Sequence, residues 1–353
     1  MTLAADAVRE MARHCGFELA GVTPALPAGD RSRYRDWVDS GHAGEMRYLT
    51  DRRAEIRDDP RHLLASAQTA ICVAKLYQTP QPYSVDCDDR ERAWISRYAW
   101  GGDYHAVMRH GLEQLDGMLR AQAGEPYESK ICVDTAPLLE RSYARLAGLG
   151  WIGKNTCLIH ERSGSWYFLG ELLVSIAVPG DAECAPPPDR CGTCRRCIDA
   201  CPTAAIVPEP AGDGFTLDSR RCISYFTIEL RGAVPEEHRA PMGGNVFGCD
   251  ICQDVCPWNR RAPDTGEPAF AAREFAPPLE RLAALTEEEF RARFRDTPIE
   301  RARYSGFLRN VAIAMGNGRL ERFRAPLRKL AESPDAVVAE TAHWALARLA
   351  GPE

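Results

Sequence analysis

A chain of 353 residues, at roughly 150 residues per domain, has room for two to three domains. Its 45% hydrophobic and 27% charged residues exclude a disordered chain, and no apolar run approaches the roughly 20 residues of a membrane-spanning helix. The N-terminus MTLAADAVREMARHCG has neither a signal-peptide apolar core nor a twin-arginine pair, so a cytoplasmic location is expected. There the 14 cysteines stay reduced, and clustered thiols are expected to bind metal or do chemistry rather than form disulfides.

Apolar spacing predicts a helix over residues 5–15, a strand over 70–76 and a helix over 105–122. A strand over 130–133, a helix over 138–146 and one long or two short strands over 166–178 follow. This alternation makes residues 1–180 an α/β or α+β domain around a central sheet, with the strand order left open. The Pro-rich stretch 185–189 marks a boundary, and residues 181–262 form a cysteine-rich, ferredoxin-like domain. From 263 to 353 there is no cysteine, and helices are predicted over 305–315, 320–330 and 334–349. The last would open with Ser333 as N-cap and Pro334 at N1. Helices of this length joined by short turns suggest a HEAT-like unit.

The strongest signal is the cysteine spacing. Cys191, Cys194, Cys197 and Cys201 followed by Pro202 match the bacterial ferredoxin run C-x2-C-x2-C-x3-C-P, whose fourth cysteine ligates the other cluster in two-cluster ferredoxins. Cys249, Cys252 and Cys256 followed by Pro257 repeat only its last three cysteines, and Val246 stands where the first would be. Cys222 is the replacement. Eight thiolates then suffice for two 4Fe–4S clusters: Cys191, Cys194, Cys197 and Cys256 for one, Cys201, Cys222, Cys249 and Cys252 for the other. Two tetrahedral zinc sites are the competing reading, disfavoured by the x2-x2-x3 spacing and the paired Cys-Pro endings. Cys72 and Cys132 lie in predicted strands and read as small buried hydrophobes.

Two other motifs mislead. Gly148 to Lys154 (GLGWIGK) imitates a phosphate-binding loop, yet Asn155 replaces the hydroxyl residue and the segment follows a helix. Asp103-Tyr104-His105 resembles the start of a D-x-H-x-x-G corrinoid motif, but Met108 replaces its glycine. His105 reads equally as structural or functional and is not assigned as a cobalt ligand.

Resemblance adds what spacing cannot. Val133-Asp134-Thr135-Ala136-Pro137-Leu138-Leu139-Glu140 and the segment Ala147 to Thr156 resemble the signature of epoxyqueuosine reductases. So do Arg97-Tyr98-Ala99-Trp100-Gly101 through His105, Arg221-Cys222-Ile223-Ser224-Tyr225 through Glu229, and Phe307-Leu308-Arg309-Asn310 through Asn317. The likeness spans nearly the whole chain. It implies a cytosolic enzyme that reduces the epoxide of epoxyqueuosine in tRNA to the alkene of queuosine. It also implies cobalamin cycling between cob(II)alamin and cob(I)alamin, fed through two 4Fe–4S clusters by a soluble low-potential donor. Residues 1–180 would then be the cobalamin-binding catalytic domain. Asp134 would be the proton donor, kept protonated by desolvation against the corrin; a helix N-cap is its plainer role. Arg57, Arg97, Tyr98, Lys154, Ser224 and Tyr225 match stretches that line the family's corrinoid pocket. A corrinoid reductive dehalogenase shares this arrangement but normally carries a twin-arginine leader and lacks the helical tail. A ferredoxin-like carrier with no chemistry of its own would not need 180 residues ahead of the clusters.

The net charge of −6 does not suggest a polyanion partner, but its distribution does. Residues 291–330 hold eleven basic residues against three acidic ones, which predicts a basic cradle for the tRNA backbone with Arg295, Arg303 and Arg309 as contacts. The chain is expected to act as a monomer without membrane contact.

Overall fold

The computed structural model describes residues 3–209 and 214–350. Its central feature is a four-stranded sheet of β1 (Leu19–Pro24), β2 (Thr69–Leu76), β3 (Ser129–Cys132) and β4 (Tyr167–Val174), in the order β1-β2-β4-β3. Every pairing is antiparallel, which resolves the sequence alternative toward α+β. Alternate residues face opposite sides of the sheet. Ile71, Val73, Leu172 and Val174 pack with helices α1 (Ala5–His14) and α2 (Tyr104–Gln122). Ala70, Cys72, Ala74, Cys132 and Leu173 pack beneath helix α3 (Glu140–Leu146). Both faces are covered, so β2 is buried along its whole length.

The elements predicted from 5 to 178 all form, with ends shifted by a few residues, and 166–178 holds one strand that stops at Val174. Sequence reasoning missed β1 because Gly21 and Pro24 read as breakers. Gly21 is required there: a Cβ would lie 2.0 Å from the Ala147 carbonyl oxygen, where α3 crosses the strand.

Three helices close the chain: α4 (Arg303–Gly318), α5 (Arg324–Ala331) and α6 (Ala336–Ala350). The expected cap of the last helix moves by two residues, since the Asp335 carboxylate, not Ser333, accepts from Val337 and Val338 N–H. These helices are not an independent core. Phe307, Val311 and Met315 share one apolar cluster with Trp94, Ile95, Trp100, Val246 and Phe247, so boundaries at 180 and 262 do not separate the packing. No helix among the described residues is long and apolar enough to cross a membrane.

Arg309 overturns one sequence expectation. It is 0% exposed, and its guanidinium donates to the carbonyls of Phe226, Leu230 (2.9 Å) and Gly232 (2.5 Å). Asn310 beside it donates to the Thr227 and Val246 carbonyls, both at 2.9 Å. Burial pushes the Arg309 guanidinium down to about 10. Its charge satisfies backbone acceptors inside the protein and cannot meet a phosphate. Arg309→Ala should therefore cost roughly 3 kcal/mol by stranding buried carbonyls, read as a lower denaturation midpoint, while the folded fraction keeps its RNA affinity.

Candidate active site and cluster-binding face

The chain leaves β3 and turns at Asp134 into a cavity of about 460 Å³ lined by Tyr48, Arg57, Asp134, Leu138, Glu140 and Ile152, among others. Asp134 has φ +45°, a left-handed backbone uncommon for any residue but glycine. It does not cap α3, whose N-cap is Leu139. Instead Glu140, the first residue of α3, reaches back and accepts the Asp134 N–H at 2.6 Å.

The Asp134 side chain, 43% exposed, meets His105 Nε2 at 3.1 Å. His105 Nδ1 in turn lies 2.7 Å from Asp103, which also caps α2 by accepting the His105 N–H. Burial alone would raise the Asp134 carboxyl, but hydrogen bonds from His105 and Tyr104 and the charge of Arg301 hold it below its ordinary value. The hydrogen bond to Asp134, with help from Asp103, raises His105. The two groups are thus driven apart, Asp134 below its ordinary value and His105 above its own. His105 thereby becomes a site residue, which its position at the start of an amphipathic helix could not reveal. Arg301 was also missed. It pairs with Glu229 at 2.6 Å and sits 5.1 Å over the Tyr48 ring at the cavity wall.

The cysteines fall into two groups. Cys191, Cys194, Cys197 and Cys256 line one cavity of about 320 Å³. Cys222 and Cys249 pack together against Ile223 and Phe226. Burial, then the charge of Cys222, raises Cys249; burial, then Cys157 and Cys249, raises Cys252. Cys201 accepts the Ala205 N–H at 3.3 Å and acts electrostatically on both Cys222 and Cys249. Cys157, a thiol without ligand spacing, lies close enough to Cys256, Cys197 and Cys222 to interact with all three.

The other expected pocket residues divide. Arg57 lines the cavity and donates to the Tyr48 carbonyl at 3.1 Å. Tyr98 lies near Asp134, and burial together with that carboxylate's charge raises its phenol. Arg97 does not reach the cavity. It is 2% exposed, donates to the carbonyls of Thr79, Gln81 and Pro82, and stacks 4.5 Å from Trp100. Lys154 is turned to the cysteine face, where Nζ donates to the Gly192 and Cys194 carbonyls. Ser224 and Tyr225 serve Cys222: their backbone N–H groups approach its thiol, while the Tyr225 hydroxyl accepts from Glu45 N–H at 2.9 Å. None of these four is in the cavity wall.

The basic stretch is less bare than its sequence. Arg291, Arg293, Arg301, Arg322 and Arg324 pair with Glu287, Glu274, Glu229, Glu280 and Glu321. Arg295 and Arg303 are exposed and have no acidic partner among the described residues.

Residues 190–259 match a 4Fe-4S double cluster binding domain, and residues 57–135 match the model described as Epoxyqueuosine reductase QueG, DUF1730. The epoxyqueuosine reductase of Xanthomonas campestris pv. campestris is 40% identical, over 98% of this chain and 96% of that protein. The chain belongs to the epoxyqueuosine reductase family. The Escherichia coli K12 member is 39% identical over 89% of this chain and 81% of its own. A crystal structure of an epoxyqueuosine reductase with an epoxyqueuosine-modified tRNA-Tyr stem loop superposes with a TM-score of 0.86 at 29% identity, covering 98% and 89% of the two chains. The Bacillus subtilis enzyme, solved with its catalytic aspartate loop swung out of the active site, gives 0.85 at 28% identity, covering 98% and 90%.

The His105–Asp134 attraction has a defined pH window. Asp134 is lowered from 3.8 and His105 raised from 6.5, so its stabilisation is fully present between those two values. It is lost as pH falls through the lowered Asp134 value, and as pH rises through the raised His105 value. Asp134→Asn should bring the His105 imidazole back toward 6.5, followed by NMR of the ring nitrogens. An unchanged titration would remove Asp134 as the cause.

Proposed function

We propose that this chain reduces the epoxide of epoxyqueuosine in tRNA to the alkene of queuosine, using cobalamin held in the cavity beside Asp134 and electrons passed through two 4Fe–4S clusters. The observation that carries the reading is the placement of Asp134. The residue expected to give the proton stands in a strained turn at the wall of a large cavity, in a chain 40% identical to a named reductase. A ferredoxin-like carrier has no use for that turn.

The residues suit the groups. Leu138, Leu139, Ile152 and Trp37 give the cavity apolar walls, and Asp30 Oδ1 and His42 Nδ1 are buried in those walls without a partner among the described residues. Flat apolar walls edged by unused polar atoms fit a corrinoid, whose ring is apolar and whose rim carries amides. Asp134, Arg57 and Tyr98 would border it. Bound cobalamin supplies the carbon-directed two-electron nucleophile that no side chain can provide. Four thiols around one cavity and four more adjacent to it suit two clusters, with Cys191, Cys194, Cys197 and Cys256 on the first and Cys201, Cys222, Cys249 and Cys252 on the second. Backbone N–H groups beside Cys201 and Cys222 help set a cluster's potential.

Loss of the epoxide oxygen as water takes two electrons and two protons. The proton on His105 Nε2 is shared with Asp134 Oδ2, and Asp134 hands it to the oxygen while Asp103 keeps the imidazole oriented. Around this centre, the anticodon loop reaches the cavity mouth near Arg301, with Arg295 and Arg303 on the phosphates. Residues 263–353 serve as a HEAT-like support for that contact. The enzyme works in the cytoplasm as a monomer and takes electrons from a soluble low-potential donor.

Two measurements test these roles. Asp134→Asn keeps the shape but cannot deliver a proton, so folded, cobalamin-binding protein should turn over about 10²–10⁴-fold more slowly; wild-type rates in a chemistry-limited assay would contradict the assignment. Replacing Arg295 and Arg303 together should weaken tRNA binding and flatten its logarithmic salt dependence by about two phosphate contacts. Unchanged binding across the salt series would move the RNA site elsewhere.

A further inference from the structure

Asp134 occupies a left-handed backbone conformation, φ +45°, that costs most residues energy and that Asp tolerates better than most. One contact holds the backbone there: the Asp134 N–H donates to the Glu140 carboxyl, 2.6 Å from Oε1. Glu140 is fixed at the first turn of α3, and α3 is anchored on the sheet through Tyr143 and Ala144. The hydrogen bond therefore ties a bent loop to a rigid element.

The charges around Glu140 point the same way. It faces Asp134, His105 and Arg141 from the loop, α2 and its own helix, Tyr104 from α2, and Glu171 from β4. Cys72 and Cys132 flank Glu171 on the neighbouring strands. Glu171 is 0% exposed, and neither of its carboxyl oxygens has a hydrogen-bond partner among the described residues. Burial, then the Asp134 charge, pushes Glu140 up to about 8. A neutral Glu140 still accepts from the Asp134 N–H through its carbonyl oxygen. A mere charge at this position would not need that geometry.

We propose that Glu140 is the positioning residue that latches the Asp134 loop into the active site, acting as a hydrogen-bond acceptor at a fixed reach rather than as a charge or a proton source. The proposal rests on the reading of Asp134 given above. Its novelty is the side chain that holds the loop. That a loop of this kind has a second position is documented for the Bacillus subtilis relative, and releasing this one hydrogen bond is the local step that would free it here.

Three substitutions separate reach from acidity. Glu140→Gln keeps the length and the acceptor without a titratable group; Glu140→Asp keeps a carboxyl but withdraws the acceptor by one methylene; Glu140→Ala removes both. Hydrogen exchange of the peptide spanning residues 133–137, measured on the reconstituted protein without substrate, reports the latch directly. In Glu140→Ala and Glu140→Asp that exchange should rise about tenfold with the β4 and 190–259 peptides unchanged. Turnover should fall about 10–100-fold, as expected for a displaced catalytic group, with KM for the tRNA stem loop held. Glu140→Gln should recover most of both losses. Should the Ala variant fail to fold, the Gln–Asp pair decides alone. Equal exchange in Gln and Asp variants, or an Asp variant better than Gln, would overturn the latch. Because exchange is read without turnover, its outcome is separable from that of the Asp134 assignment, which the Asp134→Asn rate tests.

Discussion

One five-residue loop holds the reactive cavity and the cysteine face in register. From residues 153–157, Lys154 donates to the Gly192 and Cys194 carbonyls, and Asn155 donates to the Cys252 carbonyl at 3.2 Å. Ile152 and Thr156, on either side, belong to the cavity wall. This loop thus touches the cavity wall and both groups of cysteines. The glycines that lead into it are required by contact. A Cβ at Gly150 would lie 2.3 Å from the Ile159 carbonyl oxygen, and one at Gly148 would lie 2.0 Å from that of Glu183. The phosphate-loop lookalike in the sequence is thus a tight hairpin beside the cysteines.

The second constraint is electrostatic. Asp134, His105 and Glu140 are crowded into one corner, and contact moves each of them away from its ordinary solution value. Burial favours neutral carboxyls, yet the imidazole at 3.1 Å, with Tyr104 and Arg301, holds Asp134 below its ordinary value. Glu140, with no cation as near, stays high. A carboxyl on the loop and one on the helix that follows it are thereby driven in opposite directions, the first beside His105 and the second on the Asp134 backbone N–H.

Legibility in the sequence followed the range of each interaction. The grouping of Cys191, Cys194 and Cys197 was readable because their spacing is local, and Cys256, which a ferredoxin pattern would bring to them, lines the same cavity. Sheet and helices were readable where periodicity was strong, as in β2 and α2. The arginines were not. Arg309 and Arg97 look like solvated cations in a sequence, since arginine is rarely buried without a partner; each proved to be packed against three backbone carbonyls contributed by distant segments. Local charge counting failed for the same reason, because Glu91, Glu229, Glu274 and Glu280 meet the C-terminal arginines from outside the basic stretch. His105 and Glu140 gained their meaning only when the turn at Asp134 brought α2 and α3 together.

The central claim is that this chain joins cobalamin, two clusters and tRNA in one reduction. The most direct measurement is anaerobic incubation of the iron–sulfur-reconstituted protein with epoxyqueuosine-containing tRNA and a low-potential reductant, with and without cobalamin, followed by mass analysis of the released nucleosides. The account predicts loss of one oxygen atom, giving queuosine, only when cobalamin is present. Equal conversion without cobalamin, or none with it while the clusters are intact and cobalamin is bound, would contradict it.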